Sequence, residues 1–170
     1  MTPLDVAARW GLVVVIAFLL QIGLVTQMRP FGVVPDILVV LAVCAGLSGG
    51  AQRGAVVGFW VGVLFDAVRP QHAMGLSALA YSLVAFAAGT AQVAMFRSAR
   101  LMSMLIVAVG SVIGVLLFAI GHQFFGGTAL TNPDLVPILC VSFFVGLALS
   151  RLGLWVAGWA DGPETRSVAE

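Results

Sequence analysis

A small set of charged and polar side chains could form a binding site in this otherwise apolar chain. Together, carboxylates, arginines and histidines could hold the head group of a ligand or a polar group of a partner helix. The same residues could instead anchor helix ends at a membrane interface, and the sequence leaves both interpretations open. The set that the predicted topology places on one side is Arg29, Asp36, Asp66, Arg69, His72, His122 and Asp134.

Asp66 is the most informative member of this set because it stands at the end of an apolar, helix-like segment. The C-terminal end of a helix disfavours an anion, and an unpaired charge close to hydrocarbon is costly. We therefore expect Asp66 to have a partner. Arg69, three residues further on, is the nearest candidate, and Arg29 is the other.

Asp36 and Asp134 each follow a proline, Pro35 and Pro133, at the start of an apolar run. Proline is tolerated in the first helical turn, and a carboxylate there complements the positive end of the helix. We therefore expect both acids to serve helix starts. Gln21 interrupts the first apolar run, and its amide is expected to bond to a neighbouring helix in preference to a substrate.

Motifs for catalysis and metal binding are missing from the sequence. His72 and His122 have no third metal-type residue at helical spacing. Ser77 and Ser82 have no histidine at helical spacing, and 75–78 lacks the second glycine of a nucleophile elbow. There is no phosphate-binding loop and no acidic cluster suited to Mg²⁺. We predict that the protein is not an enzyme and has no metal or cofactor.

Composition determines the class of protein. The chain has 170 residues, of which 61% are hydrophobic and 9% charged, with a mean hydropathy of +1.13. Soluble domains carry about 25% charged residues, so the sequence indicates an integral membrane protein with one domain, 1–170. A net charge of +1 gives no electrostatic support for nucleic-acid binding. Cys44 and Cys140 lie in apolar runs and are expected to be buried hydrophobes, not a disulfide.

The apolar runs predict an all-α membrane protein, a compact bundle of six transmembrane helices. The second and third spans are short, and they could form two full spans, which we favour, or a re-entrant pair. Residues 121–133 are predicted to form the longest loop, and the residues from Trp159 onward a polar, frayed tail. The six predicted spans are about 10–28, 33–48, 52–66, 75–96, 101–120 and 135–157.

Arginine placement predicts the orientation, because cytoplasmic loops carry an excess of basic residues. With six spans and a cytoplasmic N-terminus, both termini are cytoplasmic and only Arg29 and Arg69 face outward. The arginines that then face the cytoplasm are Arg9, Arg53, Arg97, Arg100, Arg151 and Arg166.

Two rows of glycine at four-residue spacing predict close helix packing. They are Gly54, Gly58 and Gly62 in the third span, and Gly110 and Gly114 in the fifth. Glycine lets another backbone approach, which drives helix association in lipid. We expect one row to pack inside the bundle and the other to bind a partner helix, and the sequence does not decide which.

Three segments together resemble the MreD family of bacterial rod shape-determining membrane proteins. Pro35-Asp36 opens the second span, as in that family. Residues 58–66 read GFWVGVLFD, which is similar to the family's glycine-rich third span ending in aspartate. Residues 75–81 read GLSALAY, which matches its Gly-Leu-x-Ala-Leu-x-Tyr pattern.

The resemblance implies a non-enzymatic subunit of the cell-elongation machinery, located in the bacterial inner membrane. Family members work with the bitopic protein MreC, with the actin-like MreB, and near a glycosyltransferase and a transpeptidase. Their fold is similar to the substrate-binding subunits of energy-coupling-factor transporters. Asp66 and Tyr81 match family positions, whereas Arg69 and His72 match no family motif. The candidate outward-facing rim or pocket consists of Asp36, Asp66, Arg69 and Tyr81.

Two functions from different classes therefore remain. The first is a scaffold that binds MreC through a glycine-lined face and helps to organise lateral peptidoglycan synthesis. The alternative is a small-molecule binding module, either a vitamin-type transporter subunit or a pocket for a lipid-linked precursor. A homodimer is left open.

Overall fold

Six α-helices make up the part of the chain that the structure describes. The computed structural model describes residues 3–25, 34–68, 75–94, 100–126 and 134–162. No strand occurs in these segments, so the prediction of an all-α protein is confirmed for them. The helices are α1 (Pro3–Leu20), which continues as a π-helical turn (Gln21–Val25), α2 (Ile37–Gly49), α3 (Ala51–Val68), α4 (Leu76–Ala94), α5 (Arg100–Phe124) and α6 (Leu135–Asp161).

Four of these helices are long and apolar enough to cross a membrane. Two further helices, α2 and α4, carry shorter apolar stretches. With 13 residues, α2 is ~20 Å long, whereas the hydrocarbon core of a bilayer is ~30 Å thick. The described segments thus contain four candidate membrane-spanning helices where six spans were predicted. The four apolar stretches are Leu4–Gly23, Ala51–Val68, Leu101–Phe124 and Leu135–Asp161.

Several helix ends differ from the predicted ones, and the second helix begins at Ile37 and not at residue 33. The first helix begins at Pro3 and not at residue 10. The fifth continues to Phe124, so His122 lies in its last turn and not in a loop. The sixth continues to Asp161, so the prediction of a frayed tail is wrong for 159–162. Gly162 follows with a positive φ of 78°, which glycine adopts more readily than other residues.

Helix α2 is the centre of the bundle. Every residue from Leu38 to Leu47 is buried, and the helix contacts α3, α4, α5 and α6. A helix that is apolar all round is buried either in protein or in a membrane, and here neighbouring helices of the same chain enclose it. Gly50, with a φ of 86°, is the only residue between α2 and α3, and its amide donates to the carbonyl of Gly46 at 2.9 Å.

The glycine row of α3 lies against α4. A Cβ at Gly54 would lie 2.6 Å from the carbonyl oxygen of Ala85, and one at Gly58 would lie 2.6 Å from that of Tyr81. A Cβ at Gly62 would overlap the backbone of Ala78. The obstructing atoms are backbone atoms that cannot rotate away. This row therefore brings two antiparallel helices into backbone contact inside the chain.

The second predicted row is also inside the chain. A Cβ at Gly110 would lie 3.1 Å from both methyl carbons of Val43, and one at Gly114 would lie 2.5 Å from a methyl carbon of Val39. Both valines belong to α2. Since both glycine rows are occupied by helices of the same chain, a partner helix would have to use another face.

A further row of small residues lies on α6 and was not singled out from the sequence. Ser142, Gly146 and Ser150 are buried at four-residue spacing. A Cβ at Gly146 would lie 2.9 Å from the hydroxyl of Ser111 and 3.1 Å from the Cα of Ala108, both on α5. The α5–α6 contact thus uses the same packing rule with serine in place of glycine.

We predict that Gly58→Leu strongly destabilises the protein, because its side chain would meet the backbone of Tyr81 and Ser82. Overpacking typically costs about 1–3 kcal/mol, and a clash with backbone should reach the top of that range. The free energy of unfolding in detergent measures it. Gly11→Leu is the control, since a Cβ there meets nothing within 4 Å. Equal stability of the two variants would show that the α3–α4 contact is not close.

Candidate functional site

Polar side chains gather at the two ends of the bundle. One end, called here the aspartate end, holds Gln21, Asp36 and Asp66. The opposite end, called the arginine end, holds Arg53 and Asp161. The aspartate end contains the residues that the sequence predicted as a rim or pocket, so its contacts are described first.

Asp36 joins the start of α2 to the second turn of α4. One carboxylate oxygen accepts from the amide of Leu38 at 2.9 Å and from that of Val39 at 3.4 Å. The other accepts a hydrogen bond from the hydroxyl of Tyr81. Asp36 is thus the N-cap of α2, and both of its oxygens have partners. The arrangement ties two of the three segments that carry the MreD resemblance to each other.

Gln21 completes the start of α2 from the first helix. Its Nε2 donates to the carbonyl of Pro35 at 3.0 Å, and its Oε1 accepts from the amide of Ile37 at 3.0 Å. The residue is buried. Its amide therefore binds the end of a neighbouring helix, which is the interpretation favoured from the sequence.

Asp66 is buried and binds the first turn of α4. One of its oxygens accepts from the amide of Gly75 at 2.9 Å and from that of Ser77 at 3.1 Å. The first amides of a helix have no intrahelical partner, and the positive end of α4 offsets the unfavourable end of α3. The predicted arginine partners, Arg69 and Arg29, lie outside the described residues.

The remaining predicted members of the rim are arranged differently. Asp134 precedes α6 and is exposed, but its side chain makes no capping hydrogen bond, so it does not repeat the role of Asp36. The ring of His122 stacks on Phe118 at a centroid distance of 6.0 Å. His72 lies outside the described residues. The structure therefore brings together Asp36 and Tyr81, and separately Asp66 and the start of α4.

The arginine end contains a buried carboxylate that sequence reasoning missed. The side chain of Asp161 is 0% exposed, and its Oδ1 lies 2.5 Å from a guanidinium nitrogen of Arg53. The indole nitrogen of Trp10 donates to the same oxygen at 2.8 Å. Asp161 Oδ2 has no hydrogen-bond partner among the residues described. Trp10 is buried and helps to join α1, α3 and α6.

A second contact at the arginine end links α1 to α6. Arg9 donates to the carbonyl of Trp159 at 3.2 Å, and its guanidinium carbon lies 5.1 Å from the centre of the Trp159 ring. The sequence did indicate that α6 extends far enough to make both contacts, because the apolar run continues to Ala160 and a glycine follows Asp161. The charge of Asp161 led instead to the prediction of a polar tail.

Among the described residues, two apolar grooves open on the surface of the bundle. The larger, called the α1–α6 groove, has a volume of about 720 Å³ and lies between α1, α2 and α6. The smaller, called the α4–α5 groove, has a volume of about 400 Å³ and includes Ala87, Ala88, Ala91 and Gly110. In the described segments, no three His, Cys, Asp or Glu side chains form a group that could hold a metal ion.

No family model, curated protein or solved structure matches this chain. Its function is therefore inferred from the motifs of the sequence and the contacts of the structure. The three segments that resemble MreD meet in space, because Asp36 binds Tyr81 and Asp66 binds the amide of Gly75.

We predict that Tyr81→Phe lowers the free energy of unfolding by about 1–3 kcal/mol, because it leaves an oxygen of Asp36 without its donor. The matched control is Ser82→Ala, whose hydroxyl only bonds back to the carbonyl of Leu79. Asp36→Asn combined with Tyr81→Phe should cost less than the sum of the two single changes. Strict additivity would show that the two side chains do not interact.

Proposed function

We propose that this protein is an MreD-like scaffold of the bacterial cell-elongation machinery, in the cytoplasmic membrane. In this role it binds MreC, and through MreC it helps to position MreB and the glycosyltransferase and transpeptidase that build the lateral wall. The observation that carries the proposal is the convergence of Pro35-Asp36, 58–66 and 75–81, the three segments that resemble MreD. They form one connected unit at the aspartate end.

The hydrogen bonds made by the polar side chains support a scaffold in preference to a catalytic or ligand-binding pocket. The carboxylates of Asp36 and Asp66 accept from backbone amides at the starts of α2 and α4. The amide of Gln21 does the same for α2. A group that holds a helix end in place contributes to a rigid shape, which is what a partner-binding subunit requires.

The proposed topology has six passes with both termini in the cytoplasm. Arg9 and Arg53 lie at the same end of the bundle as Asp161, and this end would face the cytoplasm according to the excess of basic residues there. Because α2 is enclosed by four other helices, its length does not have to match the bilayer. A pass of 13 residues is then compatible with a full crossing.

The α4–α5 groove is the face that we propose for the MreC transmembrane helix. Both glycine rows are already covered by helices of this chain, so they are not available to a partner. Ala87 and Ala91 line the groove, and small residues let a second helix approach closely in lipid. The second copy of a homodimer would compete for the same kind of surface.

We predict that Ala87→Trp abolishes co-purification with MreC, because the indole would fill the α4–α5 groove. Ala87 is exposed, so the variant should remain folded, which a thermal unfolding curve in detergent checks. The control is Ala148→Trp, an exposed alanine in the α1–α6 groove. Full retention of MreC by a folded Ala87→Trp variant would remove this face from the proposal. Failure of wild type itself to retain MreC would remove the MreD assignment.

We also predict the outcome of cysteine labelling in intact cells. In a Cys140→Ser background, Gln123→Cys should react with a membrane-impermeant maleimide added outside, and Gln52→Cys should react only after lysis. Both glutamines are exposed, and they lie at the end of α5 and the start of α3, at opposite ends of the bundle. The reverse pattern would invert the topology and contradict the scaffold orientation.

A further inference from the structure

The first helix is attached to the bundle differently from the other helices. The α3–α4, α2–α5 and α5–α6 contacts each place a glycine so close to its neighbour that a Cβ would lie within 3.1 Å of it. A Cβ at Gly11 or Gly23, the two glycines of the first helix and its π-helical turn, would meet nothing within 4 Å. These glycines therefore provide no close backbone contact to hold α1 in place.

The apolar face of α1 also gives little attachment inside a bilayer. Val13 and Val14 are buried against the bundle, but only 22% of the apolar stretch of this helix is buried. Lipid tails are as apolar as these side chains, so hydrophobic burial does not favour the packed position over lipid. The polar contacts at the two ends of α1 therefore determine how firmly it is held.

The attachment at the aspartate end is firm. Gln21 donates to the carbonyl of Pro35 and accepts from the amide of Ile37, both at 3.0 Å. Both partners are backbone atoms at the start of the central helix, and they cannot rotate away. Both ends of the Gln21 amide are therefore bonded to a fixed part of the bundle.

The attachment at the arginine end is incomplete. Trp10 donates to Asp161 Oδ1, which also binds Arg53, whereas the buried Oδ2 has no hydrogen-bond partner among the described residues. A buried ion pair is costly unless its remaining lone pairs are bonded. If Trp10 moved away, water could reach Oδ2 and offset the lost hydrogen bond. The other contact here, from Arg9 to the carbonyl of Trp159, is exposed.

We propose that α1 is a lid and that the contact of Trp10 with the Asp161–Arg53 pair is its latch. The lid swings outward at the arginine end, while Gln21 remains bound and serves as the pivot. From Leu4 to Gln21 the helix is ~26 Å long, so a tilt of about 15° moves its free end by ~7 Å. The motion widens the α1–α6 groove and gives access to the central helix, whose residues Val40 and Leu41 line that groove. It is independent of the α4–α5 groove and of the proposed binding of MreC.

The test measures distances between pairs of nitroxide labels by double electron–electron resonance in nanodiscs. In a Cys140→Ser background, Leu4→Cys with Leu101→Cys reports on the arginine end, and Ile22→Cys with Phe124→Cys reports on the aspartate end. All four labelled positions are exposed and lie near helix ends. We expect a second, longer distance for the first pair and a single distance for the second pair.

Two variants weaken the latch in different ways. Trp10→Phe removes the indole donor and keeps an aromatic ring, and Asp161→Asn removes the charge that Arg53 binds. Each should raise the population of the longer distance about fivefold, the ratio that corresponds to ~1 kcal/mol for one hydrogen bond. The control is Tyr81→Phe, which removes a hydrogen bond at the aspartate end and should leave the first pair unchanged.

A single distance for the first pair, equal in wild type and in both latch variants, would overturn the proposal. A parallel lengthening of the second pair would show that α1 separates as a whole, and would contradict a pivot at Gln21. An equal response to Tyr81→Phe would show that the longer distance reflects general loosening of the bundle, and would also contradict the latch.

Discussion

The bundle depends on hydrogen bonds to the first backbone amides of two helices, α2 and α4. The first amides of a helix have no partner within the helix, and leaving such a group unbonded in an apolar medium costs several kcal/mol. Asp36 and Gln21 serve the start of α2, and Asp66 serves the start of α4. Gln21 and Asp66 lie outside the helices whose amides they bind, and Asp36 is the residue just before α2. The polar residues of this end thus determine where the central helices begin.

Close backbone contact is the second requirement, and it acts along the length of the helices. The glycines of α3 lie against α4, and valines of α2 fill the space beside the glycines of α5. Hydrophobic burial gives little preference between helix and lipid inside a bilayer, so this close fit provides most of the attraction between the helices. The serines and glycine of α6 extend the same rule to the last helix.

The sequence allowed some of this to be predicted, for physical reasons that particular residues illustrate. The third helix was predicted at 52–66 and is found at Ala51–Val68, because its apolar run and glycine spacing are local signals. The partners of Asp66 could not be predicted, since backbone amides nine and eleven residues away carry no side-chain signature. Asp161 was misread as part of a tail because its charge is neutralised by Arg53, 108 positions earlier in the chain. The order of burial among the helices, with α2 in the centre, likewise depends on contacts that no single segment encodes.

The single glycine between α2 and α3 has a consequence for how the protein enters its membrane. A helix of 13 residues is too short to be recognised and inserted as an independent span. Because Gly50 alone joins α2 to α3, no loop would let α2 remain in water until later segments are synthesised. We therefore expect the translocation machinery to receive α2 and α3 as one helical hairpin. The central helix would then reach the lipid phase only when its glycine-bearing neighbour has been synthesised.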